Sequence, residues 1–101
     1  MIVYNVTVNV EHEATEEWIN FMKNEHIPEV MATGCFSEYK LLRLTQEVAD
    51  HAGITFAVQY WCESLSILNE YIAKYAPVLQ EKHTKKFQNK FVAFRTILEE
   101  I

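Results

Sequence analysis

Several residue types that define whole classes of protein are scarce in this sequence. Two cysteines among 101 residues, Cys35 and Cys62, cannot make the disulfide framework of a small secreted protein, so we expect a reducing, cytoplasmic location. Nine lysines and arginines stand against fourteen acidic residues, a net charge of -5 that argues against a broad nucleic-acid-binding surface. No apolar run approaches the roughly 18 residues of a membrane span. The first residues lack the basic and long apolar regions of a signal peptide. We therefore expect neither nucleic acid nor membrane as a partner.

Sequence motifs of known chemistry are missing as well. The chain contains no CxxC, HExxH, GxGxxG, P-loop or GxSxG string. Metal binding would need more ligands at a defined spacing, and nothing near either cysteine supplies the cation or helix N-terminus that activates a thiol. We expect no metal and no other cofactor. The sequence names no reaction, and candidate residues have to come from the fold that it predicts.

The chain does contain four segments with strand periodicity and two with helix periodicity. Half of its residues are hydrophobic and 13% are aromatic, enough for a core. Apolar and polar residues alternate over 2–10, 36–46, 54–62 and 91–99, with a polar loop at 47–53. Thr15 is a candidate N-cap for the first helix. Pro28 should cause either a break or a new helical start near Ile27, and Gly34 should end the helical region. Ser64 is a candidate cap for the second helix, which Pro77 should kink or split.

The order β-α-β-β-α-β predicts an α+β, ferredoxin-like fold in one domain, residues 1–101. Right-handed crossovers should place both helices on one face of a four-stranded antiparallel sheet. We expect the drier strand faces to meet the helices, namely Val6, Val8, Phe56, Val58 and Phe94. The open face should then carry Val3, Asn5, Thr7, Leu41, Arg43, Ala57, Gln59, Trp61, Phe91, Arg95 and Ile97.

That open face is too apolar to sit fully in water. A two-fold-related copy presents the same surface back, so apolar patches can meet one another. We expect a homodimer through the open sheet face.

The strings MIVYNVTVNV, HIPEV, GITFAVQY and FVAFRTILE resemble DUF4286, a family of small uncharacterised proteins of Bacteroidetes, over essentially the whole chain. That resemblance implies no activity. More distantly, the architecture is similar to the dimeric α/β-barrel superfamily, which includes antibiotic-biosynthesis-type monooxygenases and EthD-like proteins. This second resemblance implies dimerisation through the sheets and a small ligand held between sheet and helices.

The same superfamily includes haem-degrading monooxygenases, which use an asparagine on the first strand, a tryptophan, and a histidine on the second long helix. Asn5, Trp61 and His83 offer those residue types. Trp61 and His83 lie much further apart in sequence than in that pattern, so we expect no haem.

Two histidines are candidate catalytic residues. His26 precedes the break at Pro28, and its ordinary pKa near neutrality suits a general base or a donor that orients a ligand, with Glu25 or Glu29 as partner. Alternatively, it caps the broken helix or bonds a carbonyl group. His83 lies on the apolar stripe of the second helix, where it is either a core residue or a ligand contact.

Six further residues are candidates for contacting a substrate. Two tyrosines of the second helix suit a small-ligand pocket, but also a plain helix–sheet interface. The two arginines can clamp an anion together with the polar amides of the sheet, or form ion pairs between subunits. These candidates are Asn5, Arg43, Gln59, Tyr71, Tyr75 and Arg95.

The pattern as a whole favours a small-ligand-binding or cofactor-independent, enzyme-like protein of the dimeric-barrel type. The alternative is a non-catalytic interaction or regulatory module. A closed polar pocket containing His26 or His83 would support the ligand-binding or enzyme-like hypothesis. A structure without convergent titratable groups would support the non-catalytic module.

Overall fold

A computed structural model describes residues 1–46 and 53–101 of the chain. Four antiparallel strands form one sheet in the order β2-β3-β1-β4. The strands are β1 (Ile2–Glu11), β2 (Glu38–Arg43), β3 (Gly53–Cys62) and β4 (Phe91–Glu99), and the helices are α1 (Thr15–Phe21), α2 (Ile27–Ala32), α3 (Leu65–Lys74) and α4 (Ala76–Lys86). The predicted β-α-β-β-α-β order is confirmed. The predicted polar loop lies outside the described residues, except that Gly53 begins β3.

The first helical region is one continuous rod and is not broken at Pro28. A 3₁₀ turn, His12–Ala14, leads into α1, and a single π-helical segment, Met22–His26, joins α1 to α2. Proline lacks an N–H group, and the wider π turn just before it absorbs the missing hydrogen bond. The rod ends where Gly34 adopts the left-handed conformation, with φ of 77°. The chain is therefore not broken at Pro28, but a new helical segment, α2, does start at Ile27, as the second form of the prediction had it. The predicted stop is confirmed.

Thr15 does not cap this region as predicted. Ala14 occupies the N-cap position of α1, and the hydroxyl of Thr15 donates to the carbonyl of Glu11 at 3.0 Å. The hydroxyl therefore ties the helix start back to the end of β1, and the preceding 3₁₀ turn takes over the role of the cap.

The second helical region is split where Pro77 predicts a split. The hydroxyl of Ser64 caps α3 by accepting the backbone N–H of Ile67 at 3.2 Å. Tyr75 separates α3 from α4, and Pro77 lies in the first turn of α4, where its missing donor costs nothing. The buried stripe of the two helices contains Leu68, Tyr71, Ala76, Leu79, His83 and Phe87.

The register of the sheet decides which side chains face the helices. In β1 the even-numbered residues do so, since Val8 lies in the buried core and Tyr4 packs against Tyr71 of α3. Val6 pairs with Val58 on one side and with Arg95 on the other. Cross-strand partners share a face, so Arg95 points towards the helices.

Two of the predicted strand faces are therefore wrong. The odd-numbered residues of β4 and of β2 share the helix-covered face, so Leu41, Arg43, Phe91, Arg95 and Ile97 do not belong to the open face. Phe94 was expected under the helices and instead lies on the open face, 62% exposed. Both errors fall on the two edge strands, where both faces are similarly apolar. A shift of one residue in pairing moves every side chain to the other side.

The predictions for the two central strands hold. Val8, Phe56 and Val58 are buried under the helices. Asn5 and Gln59 are paired with each other on the opposite face. Across the described residues, no helix is long and apolar enough to span a membrane.

Gly53 occupies a place where a side chain cannot fit. A Cβ atom there would collide with the side-chain oxygen of Asn9 and lie 2.5 Å from the carbonyl oxygen of Val10. At Gly34 an added Cβ would have no neighbour within 4 Å.

We predict that Gly53→Ala lowers the free energy of unfolding by about 2 kcal/mol or more, because the backbone of β1 blocks the added methyl group. Gly34→Ala serves as the matched control and should cost about 1 kcal/mol, the penalty of the left-handed conformation alone. Urea denaturation of both variants measures the difference. A Gly53→Ala variant as stable as the wild type would contradict the β1–β3 register.

Candidate functional site

A small cavity lies between the helices and the sheet. Its volume, counted as the space open to the centre of a water molecule, is about 50 Å³, room for roughly three to five waters. Both central strands, β4, the π-helical segment, α3 and α4 contribute to its wall. The lining residues are Tyr4, Val6, Val8, Met22, His26, Val58, Tyr60, Tyr71, Gln80, His83, Thr84, Phe91, Ala93 and Arg95.

Four of the eight predicted site residues meet at this cavity. His26 comes from the π-helical segment, Tyr71 from α3, His83 from α4 and Arg95 from β4. The imidazole rings of His26 and His83 have centroids 5.7 Å apart. The helix–sheet location that the dimeric-barrel resemblance implies is therefore the place where both histidines lie.

The other four predicted residues lie elsewhere. Asn5 and Gln59 are on the open face, where the amide of Asn5 donates to the hydroxyl of Thr7 at 3.1 Å. The Arg43 guanidinium lies 5.6 Å from the ring centre of Phe56, away from the cavity. Tyr75 borders a separate surface depression between α2 and α4. The predicted clamp of two arginines with two amides does not form.

His83 is held by a buried hydrogen bond to Trp18. The indole Nε1 of Trp18 lies 2.8 Å from Nε2 of His83, and the two rings meet edge to face. Since an indole N–H can only donate, Nε2 must be the unprotonated nitrogen, and the neutral ring carries its proton on Nδ1. His83 is thus both a satisfied core residue and part of the cavity wall.

His26 has no such partner. Its side chain makes no capping bond, and the imidazole makes no other hydrogen bond to any residue in 1–46 or 53–101. Its ring packs 6.0 Å from that of Phe21. The alternative in which His26 caps the helix or bonds a carbonyl is therefore wrong, and its ring nitrogens are available to a ligand.

Burial keeps both histidines uncharged at neutral pH. Burial lowers the pKa of His26 to about 4, with Glu29 opposing that shift and the cations Arg95 and Lys82 adding to it. Burial likewise lowers the pKa of His83 to about 4, and His26 and Arg95 add to that shift. Two imidazoles this close would repel each other if both were protonated. The pair therefore offers neutral hydrogen-bonding groups at pH 7.

The sequence interpretation missed Tyr60. Its side chain is 2% exposed, lines the cavity, and its hydroxyl has no hydrogen-bond partner among the described residues. Burial raises the pKa of Tyr60 far above its ordinary value, and Tyr71 and Tyr4 add to that shift. Burial also raises the pKa of Tyr71. Both phenols therefore stay protonated and can donate a hydrogen bond.

The alternation of β3 already contained a signal for Tyr60. It places Tyr60 on the same face as Phe56 and Val58, and a buried tyrosine hydroxyl normally finds a partner. Tyr4 occupies the equivalent kind of position on β1, and the rings of Tyr4 and Tyr60 are 6.4 Å apart. A tyrosine on a strand face whose other side chains are apolar thus indicates that a polar group is buried in the hydrophobic core.

Comparison with known proteins identifies the family. A family model described as a domain of unknown function, DUF4286, matches residues 1–101. The chain belongs to the DUF4286 family. A search of curated proteins found no match.

Solved structures similar to this DUF4286 protein share its fold. An EthD-family protein from Bacillus halodurans is 17% identical with a TM-score of 0.69, over 100% of both chains. SnoaB, a cofactor-independent oxygenase from Streptomyces nogalater, is 14% identical with a TM-score of 0.67, over 98% of this chain and 92% of that one. A dimeric ferredoxin-like protein from an uncultured marine organism is 11% identical with a TM-score of 0.70, over 99% and 97%. At these identities the likeness establishes the fold, which is ferredoxin-like as predicted.

The histidine pair, with His83 buried and His26 half-buried, makes stability depend on pH. Between pH 6.5, the ordinary pKa of histidine, and about pH 4, these two histidines bind protons in the unfolded chain but not in the folded chain. The contribution of the two histidines is therefore fully present above pH 6.5 and is lost as the pH falls towards 4.

We predict that the melting temperature falls more steeply over this window in the wild type than in the double variant His26→Gln/His83→Gln. Glutamine can still accept the Trp18 hydrogen bond but does not titrate. His12→Gln, at an exposed histidine of the 3₁₀ turn, is the matched control and should keep the wild-type slope. Thermal melts at pH 7, 6, 5 and 4.5 make the comparison, and equal slopes in all three proteins would refute the buried neutral pair.

Proposed function

We propose that this DUF4286 protein binds a small molecule in the helix–sheet cavity and acts on it without a bound cofactor. The unpartnered hydroxyl of Tyr60 is the observation that carries this proposal. Burying a hydroxyl without a partner costs about 1–3 kcal/mol in proteins, and a ligand oxygen or nitrogen in the cavity would supply the missing bond. SnoaB, with the same fold, is a cofactor-independent oxygenase, which supports the second half of the proposal.

The polar residues of the cavity have distinct roles in this proposal. Tyr60 and Tyr71 donate hydrogen bonds to the ligand, since their phenols stay protonated. His83 contributes its Nδ1–H, because Nε2 is already bonded to Trp18. His26, neutral and without a partner, accepts a hydrogen bond or a proton. With its pKa near 4, it is a weak base, suited to a ligand that the site itself makes more acidic.

The features that support the alternative function, a non-catalytic interaction or regulatory module, lie on the open face of the sheet. That face has exposed apolar side chains on β4 and β2, namely Val92, Phe94, Leu98 and Leu42. The oxygen Oδ1 of Asn5 is also buried there without a partner among the described residues. Burial in an interface would explain both features.

A second copy of the chain is the occupant that we propose for this face. A two-fold axis would bring Phe94 and its neighbours against the same patch of the partner. A dimeric ferredoxin-like protein has this fold, and it supports the proposal. We further infer a reducing, cytoplasmic compartment, supported by the free thiols of Cys35 and Cys62.

We predict opposite effects of Tyr60→Phe on stability and on binding. Removing a buried hydroxyl that has no partner should raise the stability of the ligand-free protein by about 1 kcal/mol. The same change should weaken ligands found by NMR screening of small organic fragments by roughly five- to tenfold. Tyr39→Phe, at the exposed cross-strand neighbour of Tyr60, is the control and should change neither quantity. A destabilised Tyr60→Phe protein that binds the fragments as the wild type does would contradict the proposed role.

We predict that sedimentation equilibrium at micromolar concentration gives twice the 11.9 kDa chain mass. Phe94→Glu should shift the protein towards monomer, because it would bury a carboxylate without a partner. Val78→Glu, a change at a residue of α4 that is also 62% exposed, is the matched control and should remain dimeric. A monomeric wild-type protein would show that the open face does not join two copies.

A further inference from the structure

Among the described residues, the formal charge in the cavity wall is positive only. Arg95 is the charged residue in the cavity wall, and no carboxylate lines the wall within the described chain. Arg95 makes no ion pair with any described residue, whereas Lys82 holds Glu29 through both carboxylate oxygens at 2.9 and 2.8 Å. The carboxylate that acts on His26 is therefore already neutralised by a lysine. The guanidinium of Arg95 has no opposite charge beside it.

Four hydrogen-bonding groups of the cavity, those of His83, Tyr60, Tyr71 and Arg95, are available as donors. The bond from Trp18 fixes the proton of neutral His83 on Nδ1, where it can only donate. The hydroxyls of Tyr60 and Tyr71 stay protonated, and Tyr60 has an unsatisfied donor in a nearly dry place. The Arg95 guanidinium is a donor in every state. These donors match a ligand oxygen atom that carries negative charge. A cationic ligand would find no negative charge among the described residues of the wall.

Besides the polar side chains of His26, Gln80 and Thr84, the rest of the wall is mostly hydrocarbon or aromatic ring. Valines and alanine of the sheet, a methionine of the π segment and a phenylalanine of β4 surround the polar groups, namely Val6, Val8, Met22, Val58, Phe91 and Ala93. Arg95 and Thr84 are exposed, so the cavity reaches solvent beside Arg95. With a volume near 50 Å³, the enclosed part accommodates a body of only a few carbon atoms or part of one ring.

We propose that the ligand of this cavity is a small organic anion, a carboxylate or an enolate on an apolar body, bound through Arg95 and the tyrosine hydroxyls. The negative oxygen accepts from these donors, and the body contacts the valines and Phe91. This inference rests on the proposed function, since it assigns a chemical class to the ligand of the same cavity. An inorganic anion would make no apolar contact with the valines and Phe91. A neutral compound would supply no negative charge to pair with Arg95.

The test compares acids with neutral amides of the same shape. Butanoate and benzoate are titrated against butanamide and benzamide at pH 7.5, with protein NMR shifts as the readout of both affinity and location. We expect each acid to bind roughly tenfold or more tightly than its amide, because a charge-assisted bond to arginine is lost in the amide. Shifts should appear at residues of the cavity wall.

The matched pair of variants is Arg95→Gln and Arg43→Gln. Both arginines lie on the helix-covered side of an edge strand, but only Arg95 lines the cavity. Arg95→Gln should reduce the preference for acid over amide to about twofold or less, and Arg43→Gln should retain the wild-type preference.

Four outcomes overturn the inference, and they separate it from the proposed function. Amides that bind in the cavity as tightly as their acids would refute the anion class and leave small-molecule binding intact. Acids that shift resonances only at surface lysines, or that lose affinity equally in both arginine variants, would mean that Arg95 does not recognise the anion. If no probe of either kind shifts cavity resonances at 20 mM, on the order of the weakest useful affinity for such small ligands, both the anion class and the proposed cavity function fail.

Discussion

The hydrogen bond from Trp18 to His83 joins the two helical regions above the sheet, and the cavity depends on it. Trp18 is completely buried, its ring lies 4.8 Å from that of Phe56 on β3, and its N–H meets Nε2 of His83 at 2.8 Å. This bond links α1 directly to α4 across the helix-covered face of the sheet. A protonated His83 would present a second donor to the indole and break the bond. The fold therefore requires His83 to be neutral.

That requirement sets the chemistry of the neighbouring groups. His26 lies beside His83 with no bonding partner in the described part of the chain, and burial keeps it neutral as well. Tyr60 and Tyr71 stay protonated for the same reason. The result is a small site of uncharged polar groups with one cation, Arg95, at its edge. Such a site matches the acceptor-rich ligand that we propose for it, and its described residues form no buried ion pair whose desolvation would cost stability.

The central part of this fold could be predicted from the sequence, and the edges could not. Strong alternation in β1 and β3 identified both strands and their faces. One face of β1 carries valine and tyrosine and the other asparagine and threonine, while one face of β3 carries phenylalanine, valine and tyrosine and the other threonine and glutamine. In β4, Phe91, Ala93 and Ile97 oppose Val92, Phe94 and Leu98, so hydrophobicity does not choose a face. Only pairing with β1 does so. The misplacement of Arg95 follows from that ambiguity.

The candidate site was predictable in the same partial way. His26 and His83 were identified by residue type and helical position, and Tyr71 by its helix, but their convergence needs the tertiary packing of four elements. The π-helical segment that aims His26 depends on how the chain accommodates Pro28, which residue patterns did not show. Tyr60 was missed because a tyrosine in a buried strand is assigned to the hydrophobic core unless one also asks which group its hydroxyl bonds to.

The most direct test of this account is the protonation state of His83. Long-range ¹H–¹⁵N correlation spectra of the imidazole rings at pH 7 distinguish the two neutral tautomers from the imidazolium ion. We predict a neutral His83 with its proton on Nδ1, and loss of that fixed tautomer in Trp18→Phe, which removes the indole donor. An imidazolium ion, or a neutral ring protonated on Nε2, would contradict the Trp18–His83 bond and the site built around it.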